Sequence, residues 1–284
     1  SDDSARTMQL QAGEIDVATN MSFSSLKQLE SDPNVVTMGL PSTETRFISL
    51  NTANQYLSDL NVRKALNAAT DNSTISAMVL YGYGEPAVSF LQGSSAWLNT
   101  DIPAPAQDLE AAKALLAEAG YPDGFTINML YHAGNEFEEQ IATIIKEQWA
   151  QIGVNVELSP EEQGTYLEKF YGMEFDTVID YWSDDIPDPL QFIQSICVFD
   201  LYSGFDTNYQ DPRLEELNAL AAVEQDNAKR AEYYDEIQQI IYDAAIFVPL
   251  CYVPYGVATS SDISCFVQTP LGNYRFENLV KTVS

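Results

Sequence analysis

The stretch Tyr121-Pro122-Asp123-Gly124-Phe125-Thr126-Ile127-Asn128-Met129-Leu130-Tyr131, together with the residues up to Trp182, decides the fold class. Pro122, Asp123 and Gly124 make a turn, after which Phe125, Ile127, Met129 and Tyr131 alternate as a strand. From about Glu136, Ile141, Ile144, Ile145, Trp149 and Ile152 recur at helical spacing, and Gly153 ends that helix. Val154, Val156 and Leu158 form the next strand. A short helix around Tyr166, Leu167 and Phe170 then leads into the strand Thr177-Val178-Ile179-Asp180-Tyr181-Trp182. Upstream, Asp108 caps a helix whose apolar face is Leu109, Ala112, Leu115, Leu116 and Ala119, with Gly120 as its stop. Strands alternating with helices predict an α/β fold whose parallel strands are joined by right-handed crossovers.

The flanks read differently. Residues 1–57 hold an amphipathic start, a strand near Ile15 to Ala18, a helix near Ser22 to Glu30 and a strand-like run from Phe47 to Asn51. Downstream, Asp211-Pro212 opens a helix with an N-cap and a proline at the first helical position, presenting Leu214, Leu217 and Leu220. A second helix runs from about Asn227 to Asp243. Ile246 to Val253 then reads as a strand, and Pro249 places it at an edge or a strand end. The sequence has no internal repeat.

Composition narrows the function. The chain has 284 residues, with 42 acidic against 13 basic side chains and a net charge of −29. Phosphate backbones require clustered Lys and Arg, so nucleic acid is excluded as a partner, and anionic membrane surfaces are disfavoured. Apolar residues make up 45% of the chain, enough for it to fold in spite of its charge. No apolar run approaches the roughly 20 residues of a membrane span. The opening Ser1-Asp2-Asp3-Ser4 lacks the basic-then-apolar pattern of a signal peptide, so any export signal is expected to lie outside this chain. Cys197, Cys251 and Cys265 form no metal-binding motif with the single His132, and no metal or cofactor is expected. A Cys251–Cys265 bridge and free thiols are both compatible with the spacing.

The densest constellation is Tyr181-Trp182-Ser183-Asp184-Asp185-Ile186-Pro187-Asp188-Pro189. A strand here ends in carboxylates and aromatics, and ligands of open α/β sheets bind outside the carboxyl ends of strands. A carboxylate there can fix an ammonium group, and Tyr181 and Trp182 offer flat walls or cation–π faces. On composition alone, a solvated acidic loop after a core strand is the favoured reading in a chain this acidic. Paired carboxylates also perform acid–base work in glycoside hydrolysis, but neighbours such as Asp184 and Asp185 point to opposite faces of a strand. No catalytic residue is assigned. His132 follows the strand Phe125–Tyr131 at its carboxyl end and could donate to an anionic group or sense pH. Gly82, Gly84 and Gly93 match no phosphate-binding loop and read as turn residues.

Several segments resemble the family 5 solute-binding proteins, the extracytoplasmic peptide, oligopeptide and nickel receptors of ABC importers. Asn61-Val62-Arg63-Lys64-Ala65-Leu66 with Ala69, Asp71 and Ile75 is similar to their N-V-R-K-A-L…A-x-D…I segment. Leu10 to Asp16, Ala111 to Gly124, Trp149 to Val154, Trp182 to Pro189 and the Asp211-to-Pro249 region resemble further family segments in the same order. The resemblance implies a type II periplasmic-binding-protein fold, truncated at the N-terminus. Residues 58–245 would be a complete second α/β ligand-binding lobe, and residues 1–57 and 246–284 the remnant of the first.

The resemblance further implies a monomeric binding protein, not an enzyme, which captures a peptide or other small solute outside the cytoplasm. It would be periplasmic or lipid-anchored at the cell surface, with an ABC transporter permease as its membrane partner. In peptide-binding relatives the Asp of W-x-x-D holds the ligand's α-ammonium; here that is Asp185, with Trp182 and Tyr181 beside it. Dipeptide-binding relatives place an arginine after the strand that ends at Tyr131, where this chain has His132, a weaker and pH-dependent anion partner. A longer peptide, an oligosaccharide or a nickel or other metal complex are the alternative ligands, and an acid-pair glycoside hydrolase is a distant one. With one cleft wall incomplete, the isolated chain is expected to bind solute poorly.

Overall fold

A computed structural model describes residues 2–199 and 206–282. The first half contains α1 (Asp3–Gln11), β1 (Val17–Thr19), α2 (Phe23–Leu29), β2 (Val35–Leu50), α3 (Leu60–Ala69), α4 (Asn72–Val79), β3 (Glu85–Pro86) and α5 (Leu109–Glu118). It continues through β4 (Phe125–His132), α6 (Glu136–Ala150), β5 (Val154–Glu161), α7 (Gln163–Tyr171), β6 (Thr177–Trp182) and α8 (Leu190–Cys197). The helix pair α9 (Pro212–Val223) and α10 (Asn227–Ala244) precedes β7 (Phe247–Ser260), β8 (Ile263–Ser264) and β9 (Val280–Lys281).

Local chemistry sets these boundaries. The Asp108 carboxylate accepts from the Ala111 N–H at the start of α5, and Asp211 accepts from Arg213 N–H with Pro212 at the first position of α9. Gly124 has a φ of 77°, and a Cβ built there would lie 1.9 Å from the Gly153 carbonyl oxygen. The turns before β4 and β5 therefore interlock, which fixes the Phe125–Val154 register of the parallel pair. Gly124→Ala meets both a left-handed backbone and a backbone clash. It is expected to cost about 2–3 kcal/mol, read as a lower urea midpoint at unchanged slope.

The parallel strands read from the sequence are present: β4 pairs with β5 and with β6 in parallel. The sheet is mixed, however, in the order β1-β7-β2-β6-β4-β5 with β3 added on β7. β2 and β7 are long antiparallel strands, each extending well beyond the short runs legible in the sequence. Pro249 is the third residue of β7, close to the start of the strand, where β2 alone is paired with it; further along, β7 lies inside the sheet. Pro249 sits at a register shift, where Arg46 pairs with Cys251 but Phe47 pairs with Pro249. A bulge there accommodates a residue that has no N–H to donate.

Apolar side chains alternate between the two faces. Ile48, Ile127, Met129 and Ile179 pack against α3, α4 and α6, with Trp149 wholly buried among them. Phe47 and Phe247 pack on the other face against α8, α9 and α10. The sheet runs through the expected division after residue 57 and before 246, since β2, within residues 1–57, pairs with β6, within residues 58–245. The change of partner lies within β2: residues 45–49 pair with both β6 and β7, whereas residues 35–40 pair with β7 alone. A register shift between Leu40 and Glu44 separates the two segments. The buried Arg63 ties the other junction, donating to Leu57 O and Ala244 O at 2.8 Å each.

Candidate functional site

The carboxyl ends of β4 and β6 lie side by side, since Leu130 pairs with Val178. This brings His132, Tyr181, Trp182 and the loop that carries Asp185 to one end of the sheet. By composition alone every acid in the loop after β6 is an equal candidate; the fold sorts them. The half-buried Asp184 carboxylate accepts from Trp182 Nε1 at 2.8 Å and from Gln92 Nε2, while its own N–H donates to Thr43 Oγ1 at 3.0 Å. Burial raises its pKa to about 6, against the opposing pull of the Trp182 and Gln92 hydrogen bonds. Asp188 takes a bidentate pair from Arg230, at 2.7 and 2.9 Å, and anchors the far end of the loop to α10. Asp184 and Asp188 are thus internal anchors, not members of a solvated acidic run.

Asp185 lies between these anchors, exposed, with no hydrogen bond or ion pair to any described residue. The loop is held at both ends while this one carboxylate is left free. Ile186, 51% exposed, puts an apolar side chain beside it. Trp182 stacks on Phe192 with ring centroids 4.7 Å apart and planes within 4°, so one face of its indole is already covered. Tyr181 is exposed and carries the Arg46 guanidinium 4.3 Å from its ring centroid.

His132 is tied into a network that motif reading does not disclose. Its Nδ1 lies 3.0 Å from Glu138 Oε2, its backbone N–H donates to the same oxygen at 2.8 Å, and its ring stacks on Tyr166 at 3.6 Å. Glu138 is 2% exposed and also accepts from Arg46 Nη1 at 3.2 Å, while Arg46 Nε donates to Glu44 at 2.7 Å. Against an ionised carboxylate, which only accepts, Nδ1 is the donor of this bond. Burial pulls the Arg46 pKa down, but Glu44 and Glu138 outweigh it and hold the guanidinium above its ordinary range.

Beneath this rim, Asp180 is buried and its pKa rises to about 7, chiefly through desolvation. One of its oxygens accepts the Tyr181 N–H at 2.7 Å, and the other has no hydrogen-bond partner among the described residues. Asp206 rises to about 8, through burial and then through the charge of Asp180. Among the described residues no cluster of three or more His, Cys, Asp or Glu could hold a metal ion, and no helix is long and apolar enough to cross a membrane. The three cysteines are unbridged: Cys251 is buried and Cys265 exposed. The glycines in the loop after α4 act as turn and contact residues; a Cβ on Gly84 would meet Tyr252 O at 2.6 Å.

A mixed sheet with helices on both faces, and a rim of carboxylates and aromatics at its strand ends, defines a periplasmic-binding type of ligand-binding domain. The chain belongs to the bacterial extracellular solute-binding proteins, family 5: the profile described as "Bacterial extracellular solute-binding proteins, family 5 Middle" matches residues 1–198. The family consists of binding proteins. The chain is 27% identical to the dipeptide-binding protein of Escherichia coli K12 over 98% of its own length and 53% of that relative's. It is 29% identical to heme-binding protein A of Haemophilus influenzae over 95% of its length and 50% of the relative's. Among solved structures, the periplasmic binding protein DppA of Helicobacter pylori, in complex with the peptide STSA, matches with a TM-score of 0.82 at 28% identity, covering 93% of this chain and 52% of that one. The chain therefore spans about half the length of the curated relatives it matches.

Proposed function

We infer that the chain supplies one side of a solute-binding cleft in an extracytoplasmic receptor that captures peptides and delivers them to the permease of an ABC importer. The observation that carries this reading is Asp185, a free carboxylate on a loop pinned at both ends. It is placed to take the α-ammonium of a peptide by a charge-assisted hydrogen bond. Tyr181, Trp182 and Ile186 supply apolar surface beside it, and His132 stands at the neighbouring strand end. The dipeptide-binding relative and the peptide-bound structural neighbour support the ligand class. Residues 58–245 act as one lobe, and residues 1–57 with 246–284 belong to the other. β2 and β7 both lie in that other lobe, and Thr45–Leu50 of β2 join it to the first by pairing with β6. A ligand without an ammonium group would leave Asp185 unpaired in a closed cleft, which is costly.

The test is calorimetry with di-, tri- and longer peptides on the receptor polypeptide that contains this chain. Asp185→Ala is expected to weaken peptides with a free N-terminus at least tenfold, about 1.4 kcal/mol. The same peptides N-acetylated should bind the unmodified receptor weakly and be indifferent to the substitution. Equal affinity of free peptides for both proteins would remove Asp185 as the anchor.

A further inference from the structure

A cavity of about 410 Å³ lies away from the strand-end rim, between α3, the C-terminal end of α10 and the start of β7. Its volume falls within the roughly 300–1,000 Å³ of small-molecule sites. Phe90, Ile102, Ile241 and Phe247 give it apolar walls, and the Phe90 and Phe247 rings lie 5.9 Å apart. Ala245, left-handed at φ 51°, ends α10 and turns the chain directly into β7 along the cavity wall.

Two charged side chains also line it, Lys64 and Asp243. Both are exposed, and neither makes a hydrogen bond or ion pair with any described residue. They do not pair with each other, although they border the same cavity. Asp243 lies in the last turn of α10, which carries no basic residue, so the negative end of that helix reinforces it. The cavity thus offers a cation, an anion and an apolar interior. A ligand whose head bears only one charge satisfies one of the two and faces repulsion from the other. A head bearing both satisfies both.

We propose that this cavity binds a free apolar α-amino acid: carboxylate on Lys64, ammonium on Asp243, and side chain against Phe90, Ile102, Ile241 and Phe247. The site is separate from the Asp185 rim and does not depend on the peptide reading of that rim. Its acceptance of a single residue's zwitterion, where Asp185 offers only an amine anchor, distinguishes the two chemically.

The test is titration of the chain with L-leucine, L-phenylalanine, N-acetyl-L-leucine and L-leucinamide, followed by calorimetry and by NMR shifts. Leucine and phenylalanine are expected to bind saturably, and the two blocked analogues at least tenfold more weakly. Lys64→Met and Asp243→Asn change exposed side chains and should each weaken leucine at least tenfold, while Asp185→Ala leaves it unchanged. Ala68→Trp, which fills the cavity, should abolish binding. The proposal is overturned if neither amino acid binds, if the blocked analogues bind as well as leucine, or if binding survives Lys64→Met and Asp243→Asn but is lost in Asp185→Ala.

Discussion

Replacing Glu138 by alanine is expected to destabilise the protein by about 3–5 kcal/mol, the usual result of removing one partner of a buried ion pair. Glu138 is 2% exposed and is the acceptor on which Arg46 Nη1, the His132 backbone N–H and His132 Nδ1 converge. Its loss leaves Arg46 with Glu44 as its remaining carboxylate and leaves the His132 N–H without an acceptor. Glu138→Gln keeps an acceptor at the same place and should cost distinctly less. Urea unfolding of both variants measures the difference. A loss below about 1 kcal/mol for Glu138→Ala would mean that the network is solvent-screened like a surface pair. Because Glu138 also raises the Asp180 pKa, its effect should not be additive with substitutions at Asp180.

Asp180→Asn is expected to stabilise the protein at pH 8 and to change little at pH 4. The Asp180 carboxyl is displaced from its ordinary 3.8 to about 7, mainly by burial. Between those values the unfolded chain has released this proton while the folded protein retains it. Stability from this group is therefore complete below about pH 4 and is lost as the pH rises to about 7. A displacement of about three pH units corresponds to about 4 kcal/mol. Asparagine stays neutral throughout and keeps an oxygen for the Tyr181 N–H, and its NH2 group takes the place of the carboxyl oxygen that has no described partner. The variant should gain about 4 kcal/mol at pH 8 by urea unfolding. Asp206, raised to about 8, adds a slope of the same sign that survives in the variant. The groups facing Asp180 are Arg46, which lowers its pKa, and Glu138, which raises it; Tyr166 and Asp206 lie near enough to couple with it. Equal pH profiles for the two proteins would show that the buried carboxyl is ionised in the folded state.

The α/β core is legible because its signals are local. Alternation from Phe125 to Tyr131, helical spacing from Ile141 to Trp149 and the glycines at 124 and 153 each act within a few residues, and the parallel strands follow. β2 is only partly legible: Gly39 and Pro41 interrupt its pattern, and its length is set by pairing with β7, about two hundred residues downstream. The same long-range pairing, through a bulge, is what accommodates Pro249 close to the start of β7. At the rim, Trp182 and the acids after it are visible in the sequence, but which acid stays free is decided by Gln92, Thr43 and Arg230, three side chains distant in sequence. Glu138 does carry a readable signal, since it continues the buried helical face of Ile141, Ile145 and Trp149. A carboxylate on that face needs a buried partner, and Arg46, alternating with Glu44 on β2, provides it.

The central claim is that the receptor captures a peptide by its amine. Its most direct test is mass spectrometry of the small molecules released when the receptor polypeptide containing this chain is purified without added ligand and denatured. Peptides with free N-termini are the expected release, depleted when the protein carries Asp185→Ala. Release of only ligands without a free amine, such as an oligosaccharide or a metal complex, in equal amounts from both proteins would contradict the claim.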